Sequence, residues 1–138
     1  MNDALASPEP EFDLRVVEYG PLKVSIGPQH ETCYVELEGE LDLSNAHAVD
    51  KVLKGLDGGS AERVILDLSG LRFVDSTGLV MLLRATNRAR ANGDRLRMLR
   101  PSQTVQRLFV LCQVDGALPF VDTDTSLSAP QATQTPGP

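Results

Sequence analysis

Four consecutive residues, Asp75-Ser76-Thr77-Gly78, concentrate the chemistry this sequence can offer. They follow an apolar run and precede apolar residues at helical spacing, so Ser76 falls where a strand hands over to a helix. At such a junction an Asp or Ser oxygen caps the free backbone N–H groups of the first helical turn. The strand-to-helix edge is also where α/β sheets place their binding sites. A phosphate on Ser76 would meet unpaired N–H groups and the positive end of the helix, so the serine can be modified without unfolding the domain. The turn does not suit acyl transfer, because a nucleophile elbow needs Gly two residues before the serine and Val74 stands there.

Elsewhere the catalytic inventory is thin. His30 and His47 have no evident partners, and neither standard glycine-rich phosphate loop is present. Cys33 and Cys112 lie in apolar-periodic stretches without metal-ligand spacing, which reads as two small buried side chains. The expectation is a protein that is not an enzyme, with no metal and no cofactor.

The elements that must position the turn are legible as periodicities. Leu22, Val24 and Ile26 alternate with polar or small residues, as do Cys33, Val35 and Leu37, giving two half-buried strands. Ser44 reads as a helix N-cap, followed by Val49, Val52, Leu53 and Leu56 on one helical face and closed by Gly58-Gly59. The run Val64-Ile65-Leu66-Asp67-Leu68 suits a strand covered on both faces. Leu79, Leu82, Leu83 and Thr86 form a second helical face ending at Asn92-Gly93. Arg95 to Arg100 reads as a strand, Val105, Leu108, Phe109 and Cys112 as a third helix after Pro101-Ser102, and Phe120-Val121 as a last strand. This alternation predicts an α/β fold: one domain over residues 20–122, with a mixed, mostly parallel β-sheet of four to five strands and helices packed on it. Residues 1–19 and 123–138, polar and proline-containing, are expected to be a flexible N-terminal segment and a disordered C-terminal tail.

The formal net charge of −6 argues against direct nucleic-acid binding. All the arginines but Arg15 lie between Arg63 and Arg107, forming either solvated faces or a basic surface for an acidic partner or anion. No apolar run approaches the ~20 residues of a membrane span. The acidic start is unlike a signal peptide, so no membrane association and a cytoplasmic setting are expected.

Two longer motifs carry a family resemblance. Gly39-Glu40-Leu41-Asp42 follows the second patterned strand, and Val64 through Leu79 forms a strand-loop-helix block containing the Asp75-Ser76-Thr77-Gly78 turn. A third match runs from Arg100-Pro101-Ser102 to Arg107-Leu108. Residues 20–122 thereby resemble the STAS-domain anti-sigma factor antagonists of bacteria. The resemblance implies partner switching in a stress response: the unmodified protein binds an anti-sigma factor with serine kinase activity and frees a sigma factor for transcription. The kinase phosphorylates the serine of the turn, here Ser76, which switches binding off, and a serine phosphatase resets the cycle. By the same resemblance Asp42 lies near that serine, and Asp42, Asp75, Ser76, Thr77 and Gly78 are the partner-binding positions. Two features depart from the family pattern: Val80 stands where glycine is usual, and no amphipathic helix is visible after Asp122. The alternative function is a STAS scaffold subunit, never phosphorylated, in a stress-sensing or lipid-transport complex. A small-ligand or nucleotide binder would need a pocket that the sequence does not reveal.

Overall fold

The computed structural model describes residues 14–29 and 31–122. In chain order they form β1 (Arg15–Tyr19), β2 (Leu22–Gln29), β3 (Thr32–Leu41), α1 (Ala46–Asp57), β4 (Arg63–Val74), α2 (Ser76–Ala91), β5 (Leu96–Leu99), α3 (Gln103–Leu111), a 3-10 turn (Asp115–Ala117) and β6 (Phe120–Val121). One six-stranded sheet runs β1 to β6 in sequence order. The β1–β2 and β2–β3 ladders are antiparallel, and the three ladders from β3 to β6 are parallel.

Each of α1, α2 and α3 connects neighbouring parallel strands in the same direction across the sheet. Right-handed crossovers of that kind leave all three helices on one face. The core forms between that face and the helices. Leu22, Val24, Val35, Leu37, Leu66, Leu68 and Met98 point up from the sheet. They meet Val49 and Leu53 of α1, Leu79, Leu82 and Ala85 of α2, and Val105 and Phe109 of α3. The patterned strands and helical stripes therefore appear where periodicity places them.

The sheet departs from expectation in count and direction: it has six strands and is mixed rather than mostly parallel. The added strand is β1, in a segment expected to be untethered. Its side chains are exposed or half-buried, so it leaves no alternating apolar signal, and its ladder to β2 holds it in place. Among the described residues, helices cover only one face of β4. On the other, Ile65 is buried in a small cluster with Leu99, Tyr34 and Val121. The remaining residues of the two expected tails, and His30, lie outside the described residues.

Gly39 shows why the β3 segment carries a glycine. Its φ is +118°, and a Cβ there would come within 2.1 Å of the Pro21 carbonyl oxygen. Only glycine permits this approach of β3 to the β1–β2 turn.

The arginine block resolves mostly into internal fastenings. Arg88 of α2 ion-pairs with Asp57 at 2.6 Å and Asp50 at 3.1 Å, tying α2 to α1. Arg95 donates to the carbonyls of Gly59, Ala61 and Asp57. Arg97 bonds to the Asp94 and Leu96 carbonyls, and Arg90 to that of Ala117. Arg100 pairs with Asp115 at 3.3 Å while stacking 4.6 Å above the Phe120 ring.

Candidate functional site

The end of β3 lies beside the end of β4, with Leu41 opposite Val74. Asp75 extends this pairing by donating its N–H to the Leu41 carbonyl at 3.1 Å. The loop entering α1 and the turn entering α2 therefore share one sheet edge. This places the Asp42 loop beside the start of the 75–78 turn.

Asp75 is the N-cap of α2, with extended backbone (φ −97°, ψ −176°). One carboxylate oxygen accepts the Gly78 N–H at 2.9 Å and the other accepts the Leu43 N–H at 3.0 Å. One side chain thus caps the helix and fastens the neighbouring loop to it.

Asp42 organises the other half of the edge. Its Oδ1 accepts from the Ser44 N–H at 3.0 Å and the Ser44 hydroxyl at 2.6 Å. Ser44 is consequently not the N-cap of α1; that position belongs to Asn45, which is buried. Asn45 Oδ1 accepts the Asp42 N–H, and its amide donates to the carbonyls of Glu40 and Tyr19. The first turn of α1 is anchored to β3 and β1 by this buried amide rather than capped by a hydroxyl.

Within the turn, Ser76 is the first residue of α2 and is exposed, and its hydroxyl has no hydrogen-bond partner among the described residues. Thr77 is half-buried. Gly78 is buried, and a Cβ on it would lie 2.9 Å from Leu41 Cγ and 3.0 Å from Val74 Cγ1. Its role is therefore close packing of α2 on β3 and β4, and it offers a partner little surface. Leu43 and Val80, 75% and 44% exposed, flank the serine with unburied apolar surface.

An open groove of about 410 Å³ runs between α1 and α2 beside Ser76. Its α2 wall carries Ser76, Val80 and Arg84, spaced by four and so stacked along one helical stripe. Its α1 wall carries His47 and Asp50. Sequence reasoning passed over Arg84, His47 and Asp50 as site residues. Continuing the i, i+4 series from Ser76 would have found Arg84, whereas the opposing wall depends on how α1 docks.

The cysteines occupy different settings. Cys33 is half-buried against the core, where desolvation pushes its thiol pKa up and Arg15 pulls it partly back. Cys112, expected to be buried, is exposed at the end of α3. No group of three or more His, Cys, Asp and Glu residues able to hold a metal occurs among the described residues. No helix among them is long and apolar enough to cross a membrane.

The family described as "Mlab, STAS domain" matches residues 24–122. An anti-sigma F factor antagonist from Lysinibacillus sphaericus is 34% identical over 95 residues, covering 66% of this chain and 76% of that protein. The anti-sigma-F factor antagonist RsfA of Mycobacterium tuberculosis is 28% identical over 111 residues, covering 78% and 87%. Among solved structures, the unphosphorylated anti-sigma factor antagonist SpoIIAA matches with a TM-score of 0.60 at 20% identity, over 91% of this chain and all of that one. An anti-sigma factor antagonist from Mycobacterium paratuberculosis matches with a TM-score of 0.65 at 18% identity, over 89% and 96%. At these identities the structural likeness establishes the fold alone.

Proposed function

This chain belongs to the STAS-domain family that includes the anti-sigma factor antagonists, and from that membership we propose that it is itself such an antagonist, switched by phosphorylation of Ser76. In this reading it is a cytoplasmic binding protein without enzymatic activity of its own. The unphosphorylated form binds an anti-sigma factor that is a serine kinase and thereby releases a sigma factor. Phosphorylation ends the binding, and a serine phosphatase restores it.

The observation that carries the reading is the state of Ser76. Ser76 is exposed and its hydroxyl has no hydrogen-bond partner among the described residues, on an edge fastened by the hydrogen bonds of Asp75 and Asp42. A kinase can reach the oxygen without breaking a hydrogen bond or unwinding a helix. Exposed Leu43 and Val80 beside it supply apolar contact for a partner.

Charge accounts for the switch. Phosphorylation adds about −1.5 to −2 units at pH 7. Asp75 and Asp42 repel the phosphate equally in the free and bound chain, so the cost falls at the interface, where one unit pair of like charge at about 7 Å and an effective dielectric near 20 repels by about 2 kcal/mol. A partner that buries the phosphate adds desolvation, and ~3 kcal/mol in total weakens binding roughly a hundredfold.

The test is to incubate the purified chain with ATP and candidate serine-kinase anti-sigma factors from the source organism, following intact mass. Calorimetry then compares wild type, Ser76→Ala and Ser76→Asp. One phosphoryl group should be added to wild type and none to Ser76→Ala, and Ser76→Asp should bind about a hundredfold more weakly than Ser76→Ala. Equal affinities across the series would refute the switch. The scaffold alternative requires that no kinase modify Ser76 and that sensor or transport subunits copurify.

A further inference from the structure

The groove beside Ser76 contains an arginine that the fold does not use. Arg88, Arg90, Arg95, Arg97 and Arg100 are engaged by carboxylates or backbone carbonyls. Arg84 has no hydrogen bond or ion pair among the described residues, yet it lines the same groove as Ser76.

The surrounding charges are already committed. Asp50, the carboxylate in the groove, is paired with Lys54 at 3.4 Å and Arg88 at 3.1 Å. Both oxygens of Asp75 accept backbone N–H groups, and Asp42 accepts twice from Ser44. His47 stands on the α1 wall. Among the described residues, the charged side chain that faces this space without an ion pair or hydrogen bond is therefore Arg84. Because Asp75 already occupies the Gly78 N–H, the helix terminus has one donor fewer for an additional anion.

This step rests on Ser76 being the phosphoacceptor. We infer that a phosphoryl group on Ser76 is held inside the α1–α2 groove by Arg84, so that modification fills the groove instead of projecting from the sheet edge. Ser76 and Arg84 are separated by about 12 Å along the helix axis at 1.5 Å rise per residue. Long helical side chains lean toward the helix N-terminus, so Arg84 reaches along the stripe toward Ser76, and the added O–P linkage gives the phosphoryl group the torsional freedom to turn into the groove and meet it. Val80 lies between them and gives the arginine stem an apolar surface to follow. The planar guanidinium fork matches phosphate oxygens in two-point contact. Unmodified protein then presents a partner with an open cavity and a free cation, and the modified protein presents neither.

The experiment installs phosphoserine at position 76 during synthesis and follows its second ionisation by ³¹P NMR in wild type, Arg84→Gln, Arg84→Lys and His47→Gln backgrounds. Circular dichroism checks the fold of each; Arg84 is exposed, so its substitution should leave the domain intact. The expected result is a phosphate that ionises about 0.5 unit lower in wild type than in Arg84→Gln, from one unit charge at about 5 Å in a solvent-like dielectric. Arg84→Lys should keep part of that difference, His47→Gln should keep most of it, and the Arg84 Nε–H resonance should move between the Ser76 and phosphoserine forms. Coincident titrations of wild type and Arg84→Gln, or an unmoved Nε–H, would overturn the inference. Since no kinase takes part, the result stands apart from the proposed function: a failed kinase assay beside a positive titration would remove the switch and leave the anion-holding groove.

Discussion

Asp75→Ala tests the architectural role of the carboxylate at the edge that carries Ser76. The carboxylate makes two backbone bonds, to the Gly78 N–H within α2 and to the Leu43 N–H in a loop 32 residues distant. Loss of an N-cap costs about 1 kcal/mol, within a range of roughly 0.5–2. The bond to Leu43 is more exposed, and losing it costs about 0.5–1 kcal/mol because water replaces the acceptor. The sum is about 2 kcal/mol, which at roughly 4 °C per kcal/mol for a domain of about this size lowers the thermal midpoint by about 8 °C. Asp75→Asn keeps one acceptor oxygen but sets an amide N–H₂ against one of the two donors, so it should lose about half as much. Ser76→Ala removes no bond made among the described residues and should leave the midpoint within about 2 °C. Thermal denaturation followed by circular dichroism on the three variants measures the series. Asp75→Ala and Ser76→Ala with equal midpoints would show that the capping and stapling bonds contribute nothing to stability.

Gly78→Ala should cost about 1–3 kcal/mol by overpacking against Leu41 and Val74, measured by urea denaturation with an unchanged slope. Arg88→Ala should cost about 1–2 kcal/mol and expose the α1–α2 seam, since Asp50 and Asp57 both lose a partner and the arginine is only partly exposed; hydrogen exchange in the last turn of α1 should rise with it. At pH 8 a thiol reagent should modify exposed Cys112 quickly and Cys33 slowly, because burial pushes the Cys33 thiol pKa up and lowers its thiolate fraction. Equal rates at the two positions would contradict the half-buried placement of Cys33.

Much of this architecture was legible because burial writes itself into side-chain period. β2, β3 and the three helices each bury one face, so their apolar residues recur at two or at three and four. β1 escaped because its backbone pairs while its side chains stay exposed, and Arg15-Val16-Val17-Glu18-Tyr19 carries no alternation for the reader to find. The cap of α1 was misplaced by one residue because Ser44 and Asn45 are both good capping types, and the choice was made by tertiary contacts: Asn45 reaches Tyr19 and Glu40, leaving Ser44 to Asp42. At the site, the turn itself was readable, but the double duty of Asp75 was not, since Leu43 is remote in sequence. The arginine block looked like a surface in one dimension. In three, most of it holds carbonyl groups and carboxylates in place, and what remains for a ligand narrows sharply, with Arg84 left beside the serine.

The sequence-order sheet, β1 through β6, also bears on how the chain reaches its native state. Each strand pairs with the one synthesised just before it, so no later segment must insert between two strands already joined. The β1–β2 and β2–β3 hairpins close over short loops, whereas each parallel pairing closes across a helix, with Cys33 opposite Val64 and Val64 opposite Leu96, so the antiparallel end of the sheet forms at the lower entropic cost and the parallel ladders follow more slowly. As the chain leaves the ribosome, the sheet can lengthen at one advancing edge, each helix covering the strands behind it. The two halves of the Ser76 edge, at the ends of β3 and β4, meet once α2 is made, before β5, α3 and β6 are added. Ser76 is thus framed by the earlier part of the domain, and the later strands extend a platform that already carries it.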